Sequence, residues 1–183
     1  MIWKQVTNKE MISMNSLHYD NEEMKLSLLI DHLNVDFSIE SKADRIRIQK
    51  IVYLASELGY KINDDFKFSW YLNGPYCPAL TRVYYSLRSK LCSGVYDFID
   101  KDFDGDETVI DNIKQIIDSK PQGIKKMSDW LELVASILFL HKFFNSRELA
   151  IKYLKLDDNK KHLNIDQYSD SAYSILNKVY NLE

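Results

Sequence analysis

The sequence predicts a mainly α-helical domain with a short β-hairpin or small antiparallel β element. Three observations carry that expectation. The 183 residues include only five glycines and three prolines, too little turn chemistry for a sandwich, a barrel or a phosphate-cradling α/β sheet. Apolar residues recur at helical spacing along most of the chain, and alternation with period two is clearest in one stretch, Phe66 to Leu72. A hydrophobic content of 45% over this length supports one compact domain spanning residues 1–183, and excludes disorder throughout.

Taken in order, Met24, Leu28, Leu29, Ile30 and Leu33 mark a short amphipathic helix over Met24 to Val35. In the next helix Ser41 is placed as the N-cap and Asp44 three residues later completes a capping box. Ile48, Ile51, Ala55 and Leu58 form its apolar face, and Gly59 supplies the stop. Lys42, Arg45, Arg47 and Lys50 crowd its first half, where cations oppose the helix dipole. They read either as a solvated face or as a surface for an acidic or phosphate-bearing partner.

Phe66, Phe68, Trp70 and Leu72 alternate with Lys67, Ser69 and Tyr71 as a strand that runs into Asn73-Gly74-Pro75-Tyr76. Glycine before proline predicts a sharp change of direction there, with a positive φ open to Gly74. Pro78 suits the first turn of a helix through Leu87. Val95–Ile99 and Thr108–Ile110 are short β candidates around the acidic loop Asp100 to Glu107, and helical spacing resumes over Val109–Ile117. Leu131 to Phe144 reads as a buried helix with Ser128 as N-cap. Asn145 followed by Glu148 marks the start of Ser146–Leu154. The last helix carries Tyr168, Ala172, Ile175, Val179 and Leu182, too few seam positions for a coiled coil, so it is expected to pack on the domain.

The acidic loop is the sharpest motif-like object. Asp100, Asp102 and Asp104 before Gly105, with Asp111 at the twelfth position, follow the first half and the closing position of a calcium loop. Glu107 stands where an apolar residue would tie such a loop to a paired one, and no second loop exists. The rival reading, and the one adopted, is a hairpin between the two β candidates turned at Asp104-Gly105 or a plain solvated loop, so no metal is assigned. Cys77 and Cys92 form no CxxC pair and read as structural thiols. His18, His32, His141 and His162 stand singly, with His141 expected as a hydrogen-bonded packing residue. No nucleophile elbow, Walker loop, dinucleotide fingerprint or zinc-helix motif is present, so the expectation is a protein that is not an enzyme and uses no cofactor.

A net charge of −3 excludes a globally basic nucleic-acid coat. No apolar run approaches a membrane span, and the first residues lack the pattern of a secretory signal, so the expected location is cytoplasmic. From Ser128 onward the three helices read as a winged-helix-like or helix-turn-helix arrangement over residues 128–183, with Lys160-Lys161-His162 in the connection Lys155 to Asp166. A DNA-binding regulator is therefore the alternative function, although Lys178 is the only cation of the proposed reading helix.

Arg47-Ile48-Gln49-Lys50-Ile51-Val52-Tyr53-Leu54, the closing Gly59, the aromatic strand and Gly74-Pro75-Tyr76 together resemble the Panacea domain and the related YwgA-like proteins, over roughly residues 43–87. Two departures stand out: Arg47-Ile48 replaces the family's common Lys-Leu, and Cys77 takes the place of a capping serine. The resemblance implies a small helical protein that acts by contact with another protein, as SocA-like antitoxins of this family neutralise toxins, in toxin–antitoxin or phage-defence loci of mobile elements. Interfaces of that kind favour aromatic and arginine anchors. The candidate partner-binding residues are Arg47, Gln49, Lys50 and Tyr53, the turn Gly74-Pro75-Tyr76, and Trp70, Tyr71, Arg82, Tyr84 and Tyr85 around it.

Overall fold

A computed structural model describes residues 21–93 and 105–182. Among these residues the chain is mainly helical, with one two-stranded antiparallel sheet. Helix α1 covers residues 21–32 and α2 runs Lys42–Glu57. Strands β1 (Ser69–Tyr71) and β2 (Gly74–Tyr76) form the hairpin, and α3 follows at Pro78–Ser93. The remainder is α4 (Glu107–Asp118), α5 (Met127–Phe144), α6 (Arg147–Leu156), a 3-10 helix (Asp158–Leu163) and α7 (Ile165–Tyr180).

The core is organised around α5, which is buried on all sides from Trp130 to Leu138, as a helix that is apolar all round must be. It packs against α2, α6, α7, the 3-10 helix and strand β2. The Trp130 indole N–H, enclosed with the ring, donates to the Ile116 carbonyl at 2.7 Å and ties α5 to α4. No helix among the described residues is long and apolar enough to cross a membrane.

Several helix ends follow their local chemistry. Ser41 accepts from the Asp44 amide at 3.1 Å while the Asp44 carboxylate accepts from the Ser41 amide at 3.0 Å, so the capping box of α2 is complete. Gly59 leaves the helix at φ +99°, and Pro78 opens α3. On α7, Tyr168, Ala172 and Ile175 are buried against the domain, so this helix is no zipper.

Other expectations are corrected. The strand is shorter than Phe66–Leu72, and the chain reverses at Leu72-Asn73, two residues earlier than expected. Gly74-Pro75-Tyr76 is the return strand, with Tyr71 opposite Gly74, Trp70 opposite Pro75 and Ser69 opposite Tyr76. A proline is tolerated there because a two-stranded sheet consists of edge strands. Thr108–Ile110 is not a strand but the start of α4: the Asp106 side chain accepts from the Thr108 amide at 2.9 Å, and this cap overrides the β preference of Thr-Val-Ile. The hairpin at Asp104-Gly105 falls with it, while Val95–Ile99 lies outside the described residues.

Ser128 lies inside α5, which begins one residue earlier behind Lys126 with no side-chain cap. Asn145 caps the other end of α5 in the left-handed region, φ +50°, and Ser146 rather than Asn145 caps α6. The three-helix end is present as α5, α6 and α7, with the 3-10 helix filling most of the connection from Lys155 to Asp166.

Candidate functional site

Two consecutive polar residues of α2, Gln49 and Lys50, turn inward and hold the hairpin. Gln49 is only 3% exposed. Its amide oxygen accepts from the Cys77 N–H and its amide nitrogen donates to the Cys77 carbonyl, both at 3.0 Å, so the side chain serves Cys77 as a neighbouring strand would. It also donates to Thr81 Oγ1 at 3.1 Å. Lys50, 1% exposed, donates from Nζ to the Pro75 carbonyl at 2.6 Å.

A second ammonium reaches the same hairpin from the far end of the chain. Lys160 of the 3-10 helix is wholly buried and donates to the Leu72 carbonyl at 2.9 Å and to Glu132 Oε1 at 2.7 Å. Its Nζ lies 5.2 Å from the centre of the Trp70 ring. Glu132 on α5 accepts in addition from Asn73 Nδ2 at 3.0 Å, and His162 Nε2 stands 3.7 Å from Oε2. Gly74, at φ +81°, lies so close to α5 that a Cβ built on it would stand 2.3 Å from Ser136 Oγ. Lys50, Glu132, Lys160 and Gly74 thus pin every residue of the turn from Leu72 to Pro75 to the core.

Burial sets the titration of Lys50, and the charges of Glu132 and Lys160 modify it. Desolvation pulls its ammonium from the ordinary 10.5 to about 7, with Glu132 opposing the fall and Lys160 adding to it. Lys160 is lowered too, by burial foremost and against the attraction of Glu132. The unfolded chain holds the Lys50 proton more tightly than the folded one between about pH 7 and 10.5. Folding stability is therefore expected to rise with pH across that window, by up to about 1.4 kcal/mol per unit. At higher pH the sign reverses, because burial, and after it the Glu57 carboxylate, pushes the Tyr53 and Tyr180 phenols up, and these groups ionise on unfolding. Urea unfolding at stepped pH, compared with Lys50→Met, checks this: the substitution should flatten the rise, and an unchanged slope would assign it elsewhere.

The outer face of the hairpin is aromatic. Tyr71 and Tyr76 share it, ring centres 5.4 Å apart, and Tyr71 is 57% exposed. Thr81 connects these rings to the interior. Its hydroxyl accepts from Gln49 and, at 3.2 Å, from the Tyr84 hydroxyl, so its own proton goes to Tyr76 Oη, 2.8 Å away. Tyr85 packs on Tyr84 at 5.2 Å and is 49% exposed, and Leu72 and Arg82 are exposed as well.

The candidate residues therefore divide. Gln49, Lys50, Tyr53, Gly74, Pro75 and Tyr84 are buried and build the support. Trp70 is half-buried on the inner face of the hairpin, against Phe139 at 5.8 Å and Tyr153 at 5.9 Å. Tyr71, Tyr76, Arg82 and Tyr85 remain at the surface. The basic cluster of α2 is corrected as well. Arg47 donates to the Asp36 carbonyl at 2.7 Å and Arg45 to the Ile39 carbonyl at 2.7 Å, so with Lys50 buried only Lys42 stands fully in solvent.

Of the acidic loop, Asp100, Asp102 and Asp104 lie outside the described residues, and Asp111 is exposed on α4. Among the described residues no three His, Cys, Asp or Glu side chains are placed to hold a metal ion. Cys77 is a buried free thiol, while Cys92 is free and exposed. His141 packs edge-on against Tyr173, but its buried Nδ1 has no hydrogen-bond partner, contrary to expectation. Of the cations of the C-terminal helices, Lys160 is buried, Arg147 pairs with Asp170 and Lys155 with Asp166 at the surface, each at 2.5 Å, and Lys152 and Lys178 are exposed.

Sequence reasoning missed Glu132, Lys160, Asn73 and Thr81. One signal was available: a single carboxylate inside an apolar helix, Trp130 to Leu140, implies a buried cation somewhere in the chain. Set against protein-family models, curated proteins and solved structures, the chain finds no match.

Proposed function

We propose that the protein is a non-enzymatic, cytoplasmic binding module of the Panacea or YwgA type, antitoxin-like, which neutralises or regulates a protein partner in a toxin–antitoxin or phage-defence setting. The observation that carries this reading is the hairpin: its outer face presents Tyr71 and Tyr76, linked through Thr81 to Tyr84 and its exposed neighbour Tyr85, while its inner side is held by Gln49, Lys50 and Lys160. Aromatic and arginine anchors supply most of the energy of protein interfaces, and a rigidly held anchor loses less entropy on binding. The sparse positive charge of α7, which carries Lys178 as its one cation, gives the DNA reading little support.

The test is capture of the partner from the native cell by tagged protein, with the complex then titrated using variants. Tyr71→Ala combined with Tyr85→Ala is expected to weaken binding by about 2 kcal/mol or more with little change in melting temperature, because both rings are about half exposed. Undiminished capture would remove the hairpin face from the interface. Tyr84 is unsuited to this test, since at 3% exposure its truncation reports on the core.

A further inference from the structure

A cavity of about 290 Å³ opens beside the last turn of α2, against the connection to β1 and against α5. Four aromatic rings line it, Tyr53, Phe66, Phe68 and Phe139, together with the carboxylates of Glu57 and Asp64. The rings support one another: Tyr53 meets Phe68 edge-on at 5.2 Å and Phe139 at 6.1 Å between centres. Aromatic faces carry negative potential and attract a positive group that also has an apolar skin.

The helix end adds to this. Ser56 and Glu57 reach the cavity from the C-terminal turn of α2, the negative end of the helix dipole, which carries no basic side chain, and Val52 and Tyr53 reach it from the turn before. The neighbouring cations are weakly engaged. Lys142 pairs with Glu57, and Lys61 on the cavity wall stands 3.5 Å from Asp64, but the two lysines are 53% and 58% exposed. Solvated pairs of this kind are readily exchanged for another cation. A bare metal ion would want more oxygen ligands than two separated carboxylates, and would gain nothing from four rings.

We infer that this cavity binds a small organic cation of the quaternary-ammonium or methylated-amine class. Its volume lies near the lower end of small-molecule sites, which suits a single alkylated head group. Phe68, Phe139 and Tyr53 supply the aromatic contact, and Glu57 with the α2 terminus supplies the counter-charge. The cavity shares no side chain with the exposed Tyr71, Tyr76, Arg82 and Tyr85, although its Phe139 also packs on Trp70, so substitutions at Tyr71 and Tyr85 test the other surface separately. The same head group can arrive as a free amine or on a methylated lysine side chain.

The experiment is a titration of the full chain followed by the aromatic resonances of Phe66, Phe68 and Phe139. The ligands are choline, its neutral isostere 3,3-dimethylbutan-1-ol, and N-acetyl-trimethyllysine amide. Saturable shifts with choline, at least about tenfold tighter than with the neutral alcohol, are expected. Glu57→Gln should weaken choline about three- to tenfold and leave the alcohol unchanged. Phe68→Leu, which keeps the apolar volume, should cut choline binding to a similar extent without loss of the folded spectrum. Tighter binding of the trimethyllysine amide than of choline assigns a side-chain ligand, and equal binding assigns a free cation; both uphold the site. Equal affinity for choline and the alcohol, or no saturable shift at these rings, would overturn it.

Discussion

Glu132→Ala should be the most damaging single substitution in the described chain, lowering stability by about 3–5 kcal/mol. Glu132 is 1% exposed and is the carboxylate that Lys160 touches, with Lys50 close enough for its charge to be felt. Its removal strips the buried Lys160 ammonium of its carboxylate partner, leaves Lys160 and Lys50 the carbonyls of Leu72 and Pro75 as acceptors, and frees the Asn73 amide. For a domain whose total stability is typically about 5–15 kcal/mol, that loss threatens folding itself. The paired change Glu132→Leu with Lys160→Met separates the effects, because an apolar pair of similar volume removes the charges together. It should be more stable than Glu132→Ala alone, although the Leu72 carbonyl loses its donor. Urea unfolding of the three proteins measures this, and a cost for Glu132→Ala below about 1 kcal/mol would mean that the cluster is hydrated rather than dry.

Gly74→Ala is the second large effect, expected at about 2–4 kcal/mol. Part is backbone strain, since φ is +81°, and part is collision, since the added Cβ would stand 2.3 Å from Ser136 Oγ. Ser136 belongs to the most enclosed stretch of α5, so the helix has little room to retreat. The collision can be removed from the other side. Ser136 Oγ is buried without a hydrogen-bond partner, so Ser136→Ala alone should be neutral or slightly stabilising. Combined with Gly74→Ala it leaves the nearest α5 atom, Ser136 Cβ, at 3.6 Å, ordinary van der Waals contact. The double variant should then retain only the strain, about 1–2 kcal/mol. Strictly additive costs in this cycle would show that Gly74 and Ser136 do not meet. Both experiments also test the proposed function: with the hairpin face as the interface, a turn released from α5 should weaken partner capture even with Tyr71 and Tyr85 intact.

Where chemistry acts within a few residues, the sequence was readable. Ser41 and Asp44 meet across three positions and specify the start of α2, and Pro78 does the same for α3. The dense apolar character of Leu131 to Leu140, interrupted only by Glu132 and Ser136, marks a buried helix. Two local signals misled for one reason, that a nearby polar side chain can outrank a propensity. Asp106 turned Thr-Val-Ile into a helix start, and Ser146 rather than Asn145 took the cap of α6.

The candidate site was half legible. The Gln49-Lys50 pair and the Gly74-Pro75-Tyr76 segment are conspicuous in the sequence, but their direction is not. Along α2 the position of Lys50 is compatible with a solvated cationic patch or a buried tether, and only the partner chosen by the fold decides between them. That partner set is remote: Pro75 is 25 residues away, and Lys160 meets Glu132 across 28 residues and Leu72 across 88. The sequence alone determined a mainly helical chain with one small β element, because helix caps and apolar periodicity are near-neighbour effects, but it put the hairpin at Asp104-Gly105 and read Gly74-Pro75-Tyr76 as the turn instead of the return strand. Which charges are buried, which tyrosines face outward and what holds the hairpin were settled by tertiary structure alone, because burying an ammonium depends on acceptors delivered by distant segments.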